Sequence, residues 1–183
     1  MKIYTKTGDQ GKTGLLSGER VWKDDPRLRA VGSVDELNAW LGWIIAKTPW
    51  QDLREQLSAI QEDLHLLGSD LACGSAEQQG RSCLRLSDDA TTRLEKWIDE
   101  LEGSLEPLRF FIRLGGAEIA AMLHIARTVC RRAEREATPL QREADLREAV
   151  ETYLNRLSDY LFTAARVANA RSGIGDQPWN AGL

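Results

Sequence analysis

The sequence predicts an all-α protein, a bundle of about five helices that follows an ordered N-terminal segment rich in glycine and threonine. Apolar residues recur at spacings of three and four over most of the chain beyond residue 25, which is the period of amphipathic helices. The hydrophobic fraction of 42% and the 5 prolines are typical of a folded globular protein. The chain of 183 residues is expected to form one domain around a hydrophobic core.

Apolar spacing and proline predict the first two helices. The first runs from about Pro26 to Lys47 and ends before Pro49, because a residue that precedes proline disfavours the helical conformation. The second, from about Asp52 to Leu71, has leucine or isoleucine at spacings of four and three throughout. That pattern predicts the buried seam of a bundle helix.

Three more helices are expected after a loop at 73–86. Ser87, Asp88 and Asp89 are typical N-cap residues and predict where the third helix starts. An unusually apolar connector follows at 103–116. The remaining predicted segments are helices at about 117–137 and 142–171, and an irregular tail at 172–183. The predicted organisation is therefore an N-terminal segment at 1–25, a bundle at 26–171 and the tail.

Composition excludes several functional classes. The net charge of −4 gives no indication of a nucleic-acid partner, and no apolar run is long enough to span a membrane. The chain has an odd number of cysteines, Cys73, Cys83 and Cys130, and no CxxC pair. This argues against a disulfide framework or a zinc site. We therefore expect reduced thiols and a cytoplasmic location.

The predicted fourth helix separates an apolar arc from a polar stripe. At about 100° per residue, the stripe contains His124, Arg127, Arg131, Glu134 and Arg135. Such a stripe is most often a solvated charged face, but arginine forks are also suited to binding phosphates.

The predicted fifth helix has a comparable stripe. Asn155, Asp159 and Arg166 share a face with Phe162, opposite the leucines. Facing polar side chains on neighbouring helices are how bundle proteins form ligand sites.

The N-terminal segment offers backbone flexibility, hydroxyl groups and charge within a few residues. Its sequence, TKTGDQGKTG at 5–14, is suited to holding phosphates through backbone N–H groups. It lacks the Walker A spacing, and Gly/Thr-rich N-termini are more often simply mobile.

One metal motif can be set aside. Glu62 and His65 form an E-x-x-H pair on a helix, as in di-iron carboxylate proteins. Such sites need a second motif, and His124 has no glutamate three residues before it. We expect His65 to be a structural or surface residue, and the sequence shows no recognisable nucleophile with its base.

Taken together, motifs spread over most of the chain resemble the trimeric, PduO-type ATP:cob(I)alamin adenosyltransferases. They are YTKTGDQGKT (4–13), GERVWKDDPR (18–27), VGSVDELN (31–38) with LG (41–42), RTVCRRAER (127–135) and YLNRLSDYLF (153–162). Each alone is weakly specific, but their combination and order are highly specific. The resemblance implies a five-helix bundle, in agreement with the helix count above, and a homotrimer with active sites between subunits.

The resemblance also implies roles for residues at matching positions. ATP and Mg²⁺ would lie between the N-terminal segment and the arginine stripe, and Asp35 would pair with Arg127 across the subunit boundary. Metal ligands are not identified. The implied ATP-binding residues are Thr5, Lys6, Thr7, Gly8, Thr13, Gly14, Lys23, Arg131, Arg132, Glu134, Arg135 and Asn155. The implied catalytic residues are Arg131, Phe111, Asp35 and Arg127.

The implied reaction transfers the 5′-deoxyadenosyl group of ATP to cob(I)alamin and releases triphosphate. Because cob(I)alamin is itself the nucleophile, the protein needs to supply alignment and cations rather than a base. Phe111 would displace the lower cobalt ligand, with Phe110 and Arg113 as further cobalamin contacts. Here Arg113-Leu114 replaces the leucine-proline that is common in the family, which frees the loop backbone and adds a charge.

Two further expectations concern partners. A cobalamin reductase and a cobalamin-dependent acceptor enzyme are the expected protein partners, with no nucleic acid and no membrane. The alternative function is a non-catalytic cobalamin carrier. The complete set of ATP-side residues argues against it, because a carrier has no need of them.

Overall fold

The computed structural model describes residues 2–73, 83–143 and 146–179. This part of the chain contains a small antiparallel hairpin followed by five helices, which confirms the predicted all-α bundle. The elements are β1 (Lys12–Gly14), β2 (Arg20–Trp22), α1 (Pro26–Lys47), α2 (Gln51–Cys73), α3 (Ala90–Glu102), α4 (Glu118–Glu143) and α5 (Glu148–Arg171).

The hairpin lies inside the segment that the sequence predicts as a loop. Lys12 pairs with Trp22 and Gly14 with Arg20, and the turn between them is closed by a hydrogen bond from the Leu15 amide to the Glu19 carbonyl of 2.9 Å. Gly18 has a φ of 84°, a conformation that favours glycine. Three-residue strands are too short to give a recognisable alternation, so the sequence did not predict them.

The core lies between α4, α5 and the two helices that flank them. α4 packs against both α1 and α5, while α2 packs on α1 and α3 packs on α5. The apolar arc predicted for α4 is buried, as are the leucines of α2 and α5. The fully buried side chains include Leu37, Leu41, Leu57, Leu64, Leu123, Tyr153 and Leu161.

The predicted helix boundaries agree with the structure for α1 and differ for α2, α4 and α5. α3 begins at Ala90, directly after the predicted N-cap residues, although the Asp89 side chain makes no capping hydrogen bond. α4 continues through Pro139 to Glu143, because Ala137 and Leu140 are buried and their packing offsets the lost hydrogen bond.

α5 begins later than predicted. Arg147 precedes its first turn and contributes hydrogen bonds to Asp70 and to the Leu86 carbonyl, both at about 3 Å, instead of extending the helix. Parts of the predicted loop at 73–86, of the start predicted for α5 and of the predicted tail lie outside the described residues, at 74–82, 144–145 and 180–183.

The cysteines correct another expectation. Cys73 at the end of α2 forms a disulfide with Cys83, so the prediction of reduced thiols is wrong for this pair. Cys130 is free and buried, and its thiol donates to the Leu154 carbonyl at 3.2 Å. Spacing alone did not reveal the pair, because a separation of ten residues is not a recognised metal or disulfide signature.

Candidate active site

The polar side of the site is formed where α4 meets α5. The Asn155 amide donates to Glu134 Oε1 at 2.8 Å, and Arg131 Nη1 lies 3.8 Å from Glu134 Oε2. The Glu134 side chain is only 16% exposed, whereas Arg131 is 48% exposed. One partly buried carboxylate therefore orients both an amide and an arginine toward a shared solvent-facing surface.

The other two arginines predicted for this face behave differently. Arg132 forms an ion pair with Glu36 of α1, so its charge is already balanced by a carboxylate. Arg135 is exposed on α4. The structure thus brings Arg131, Glu134 and Asn155 together and turns Arg132 toward the neighbouring helix.

The N-terminal segment is ordered by its own side chains. The hydroxyls of Thr5 and Thr7 are 2.8 Å apart, and Arg20 Nη2 donates to the carbonyls of Thr7 and Lys12 at 2.6 and 3.0 Å. Lys6 has a φ of 61°, which is rare for a residue with a side chain. Sequence reasoning missed the role of Arg20, an arginine that holds two turns of the segment together.

The remaining segment residues predicted for ATP surround this turn. A Cβ at Gly8 would lie 3.4 Å from the Lys23 ammonium, so these two positions are in close contact. Thr13 and Gly14 belong to β1. Backbone groups, hydroxyls and the ammonium groups of Lys6 and Lys23 therefore lie in or close to one short hairpin in sequence.

Asp35 and Arg127 do not meet within the chain. Asp35 is exposed on α1 and lines a cavity of about 350 Å³ with Asn38 and His65. Arg127 lines a different cavity, so the predicted pairing of these two residues across a subunit boundary stays a prediction. The exposure of Asp35 leaves it available for a second copy of the chain.

An apolar cavity of about 540 Å³ lies between the connector and α5. Phe111 is 82% exposed and Phe110 is 47% exposed, although large aromatic rings are normally buried. The lining residues are Leu108, Phe110, Phe111, Ile112, Leu114, Arg127, Phe162 and Trp179. We call this the aromatic cavity; its shape and composition suit a large, mostly apolar ligand.

Arg127 is the one charged group that lines this cavity among the described residues. Its Nε atom is buried without a hydrogen-bond partner. Burial, together with the nearby charge of Arg131, lowers the pKa of Arg127 from its ordinary value. A guanidinium whose charge is poorly compensated favours an anionic group beside it.

The sequence predicted His124 in the polar stripe, and this is wrong because the side chain is buried behind the aromatic cavity. Its side chain is buried, neither ring nitrogen has a hydrogen-bond partner, and its ring centroid lies 6.0 Å from that of Phe162. Burial and the charge of Arg127 lower the pKa of His124 to about 4. The imidazole is therefore neutral at physiological pH.

Arg113, predicted to contact cobalamin, lines a smaller neighbouring cavity with Gly115 and Asp176. Its backbone amide donates to the Gln177 carbonyl at 2.9 Å. The structure therefore separates Arg113 from the aromatic cavity that contains Phe110 and Phe111.

Metal ligands are sparse in the described ranges 2–73, 83–143 and 146–179. No three His, Cys, Asp or Glu side chains are grouped in a way that suits a metal ion. In the same ranges no helix is long and apolar enough to cross a membrane.

The fold and the site define a helical-bundle protein in which a polar, arginine-bearing face adjoins an apolar cavity, an arrangement suited to two chemically different ligands. Residues 3–168 match the family model described as Cobalamin adenosyltransferase, and the chain belongs to this family. It is an enzyme that adenosylates cobalamin in an ATP-dependent reaction, as its motifs predict.

Relatives and solved structures agree with this assignment. The chain is 46% identical over 180 residues to the corrinoid adenosyltransferase of Bacillus subtilis, covering 96% of this chain and 91% of the relative. It is 42% identical over 176 residues to human corrinoid adenosyltransferase MMAB, covering 94% and 70%.

Two solved structures have the same fold. One is a phenylalanine-to-alanine variant of the PduO-type ATP:corrinoid adenosyltransferase from Lactobacillus reuteri, complexed with cobalamin and ATP. It has a TM-score of 0.92 and 38% identity, and the match covers 98% of this chain and 99% of the other. An arginine-to-lysine variant complexed with ATP gives a TM-score of 0.90 at 38% identity, covering 98% and 100%.

Proposed function

We propose that the polar face binds the triphosphate of ATP while the aromatic cavity binds the corrin ring of cob(I)alamin. One observation carries the proposal: Arg127, which lines the cavity, and Arg131, on the polar face, are four residues apart on α4. Residues at this spacing are neighbours on a helix surface, so the two regions are adjacent. Substrates bound in them would have their reacting atoms close together.

The chemistry requires alignment more than proton transfer. The cob(I)alamin cobalt attacks the 5′ carbon of ATP, the cobalt–carbon bond forms, and the carbon–oxygen bond to triphosphate breaks. Arg131 would balance the charge of the leaving triphosphate, which is the interaction that grows in the transition state. Asn155 and Glu134 would hold Arg131 in place.

The N-terminal segment would close over the nucleotide. Thr5, Lys6, Thr7 and Gly8 offer hydroxyl, ammonium and backbone N–H groups within one turn, and Lys23 lies beside Gly8. The other predicted contacts from this side are Thr13 and Gly14, with Arg132 and Arg135 from α4. Arg132 would need to leave Glu36 to bind phosphate.

Mg²⁺ would bind at the polar face only together with the nucleotide. Since the described residues offer no three-ligand cluster, triphosphate oxygens and water would supply most of its ligands, with Glu134 as the nearby carboxylate. The ion would add positive charge against the leaving group.

Phe111 would occupy the lower face of the corrin and displace the lower cobalt ligand, which makes reduction from cob(II) to cob(I) accessible. The high exposure of its ring supports this role, because the ring has few packing partners within the chain. Phe110 would add a second aromatic contact, while Arg113 would act from the neighbouring cavity.

The site would be completed in a homotrimer, with Asp35 of one subunit against Arg127 of the next. We propose a cytoplasmic enzyme that receives its electron from a cobalamin reductase and supplies an acceptor enzyme. The Cys73–Cys83 disulfide is unusual in that compartment, so thiol alkylation of the protein in freshly lysed cells tests the location.

The activity is tested with purified protein, chemically reduced cob(I)alamin, ATP and Mg²⁺, followed by absorbance. We expect adenosylcobalamin and triphosphate in equal amounts, and no ATP consumption without reduced cobalamin. Tight cobalamin binding without product would instead support a carrier.

A further inference from the structure

The connector between α3 and α4 carries Phe110 and Phe111, yet their exposed rings do little to hold it in place. Its first part is fixed by α5. Arg166 is 5% exposed, and its Nη2 donates to the Glu106 carbonyl at 2.7 Å. A buried arginine therefore anchors the backbone five residues before Phe111.

The same guanidinium also holds the C-terminal tail. Arg166 Nε donates to Asp176 Oδ2 at 2.8 Å, and the Asp176 side chain is only 20% exposed. Beyond Asp176 the tail runs antiparallel to the connector. The Arg113 amide donates to the Gln177 carbonyl at 2.9 Å, and the Trp179 amide donates to the Phe111 carbonyl at 2.7 Å.

The far end of the connector is fixed by Asn169, which is also 5% exposed. Its Nδ2 donates to the Gly115 carbonyl, and its Oδ1 accepts from the Ala117 amide, both at 2.9 Å. A Cβ at Gly116 would overlap the Asn169 carboxamide, and Gly116 has a φ of 105°. Only glycine allows the backbone to approach Asn169 this closely.

Arg166 and Asn169 are three residues apart and therefore share a face of α5. Phe162, which lines the aromatic cavity, lies one turn before Arg166 on that face. The two buried polar side chains thus fix both ends of the connector to the helix that forms the opposite wall of the cavity. We call this pair of residues the α5 clamp.

We propose that Arg166 and Asn169 are positioning residues for the corrin side of the reaction, setting Phe111 and Trp179 through backbone hydrogen bonds. The inference rests on the proposed function, because it assumes that the aromatic cavity binds cobalamin. Neither residue lines the aromatic cavity, so both act through the connector and the tail. The polar face near Asn155 is not linked to them by any described hydrogen bond.

Hydrogen exchange of the ligand-free protein tests the clamp without reference to activity. In Arg166→Gln and Asn169→Ala, we expect the amides of Arg113 and Trp179 to exchange about tenfold faster, which corresponds to about 1.4 kcal/mol of lost protection. Exchange in α2, which the clamp does not contact, should be unchanged. Unaltered exchange at both amides would overturn the proposal.

Kinetics test the positioning role. We expect the KM for cob(I)alamin to rise about tenfold in each clamp variant, while the KM for ATP stays within about twofold. Equal increases in the two KM values would indicate a general loss of structure and would overturn the proposal. An inactive wild-type protein would refute the proposed function instead, and the exchange experiment would still report on the clamp.

Two further variants separate position from stability. Arg171→Gln breaks a more exposed α5 ion pair, with Asp52 of α2 at 2.8 and 2.5 Å, which does not involve the connector or the tail; it should lower stability without changing either KM. Asp176→Asn weakens the tail contact without altering the bundle, in case Arg166→Gln does not fold. Asp176→Glu, which keeps the carboxylate, should restore most of the cobalamin affinity that Asp176→Asn loses.

Discussion

The two sides of the site are held in place by opposite means. On the polar side, Arg131 is half exposed and is oriented by Glu134. On the proposed corrin side the rings of Phe110 and Phe111 are exposed, and Arg166 and Asn169, which hydrogen-bond to the connector, are buried. A cation that meets a polyanion needs little burial, because long-range attraction guides the ligand. Exposed aromatic rings make few contacts that could fix the backbone carrying them. Buried hydrogen bonds elsewhere must therefore hold that backbone in place.

The largest expected effect is on the polar side. We expect Arg131→Ala to reduce kcat by about 100-fold or more, because the developing charge of the leaving triphosphate loses its cation. Steady-state assays with pre-reduced cob(I)alamin measure the loss. Arg142→Ala, an exposed arginine in the last turn of α4, serves as the matched control and should retain activity.

The size-exclusion profile of Arg131→Ala should match that of the wild type. A kcat within about twofold of the wild type would remove Arg131 from the triphosphate role.

The next largest expected effect is on the proposed corrin side. We expect Phe111→Ala to slow the reaction from cob(II)alamin with a reductant at least about tenfold more than the reaction from cob(I)alamin, a difference of about 1.4 kcal/mol. The reason is that only the first assay requires displacement of the lower cobalt ligand. Parallel rate measurements in the two assays give the ratio.

Leu84→Ala removes another exposed apolar side chain, outside the aromatic cavity, and should leave that ratio unchanged. Equal losses in both assays for Phe111→Ala would assign Phe111 to corrin binding alone.

The smallest expected effect is on the pH dependence of stability and comes from His124, which lies behind the aromatic cavity. Burial and the charge of Arg127 lower the pKa of His124 to about 4, below the ordinary value of 6.5, and the nearby carboxylate of Asp176 opposes this shift. As the pH falls below 6.5, the unfolded chain binds a proton that the folded chain does not, so the free energy of unfolding decreases. The decrease is about 1 kcal/mol between pH 6.5 and 5.5.

Urea unfolding at these two pH values measures the change. His124→Asn should remove this component, whereas His65→Gln, at the exposed histidine, should preserve it. An unchanged pH dependence in His124→Asn would show that the imidazole is charged or solvated in the folded protein.

Sequence alone predicted what depends on local pattern. Periodicity predicted α1 and the seam of α2, and the polar stripes predicted that Arg131 and Asn155 face the same region. α4 extends beyond its predicted end at 137 and through Pro139, because burial of the neighbours of Pro139 outweighs its local penalty. The disulfide and the burial of His124 depend on which segments meet in space.

The α5 clamp was not predictable for the same reason. Arg166 and Asn169 look like surface residues in the sequence, since arginine and asparagine are mostly exposed. Their role arises from Glu106, Gly115 and Asp176, which come from segments far apart in sequence. A buried polar side chain in mid-helix is recognised only once its partners are placed.

α5 also acts as a spacer of fixed length and phase. Asn155, Phe162 and Asn169 follow one another at seven-residue intervals, each about 10.5 Å along the axis. One helix therefore sets both the distance and the angle between the proposed nucleotide side, the aromatic cavity and the α5 clamp. Inserting or deleting a single residue between them would rotate one end by about 100° and point its side chains away from the site.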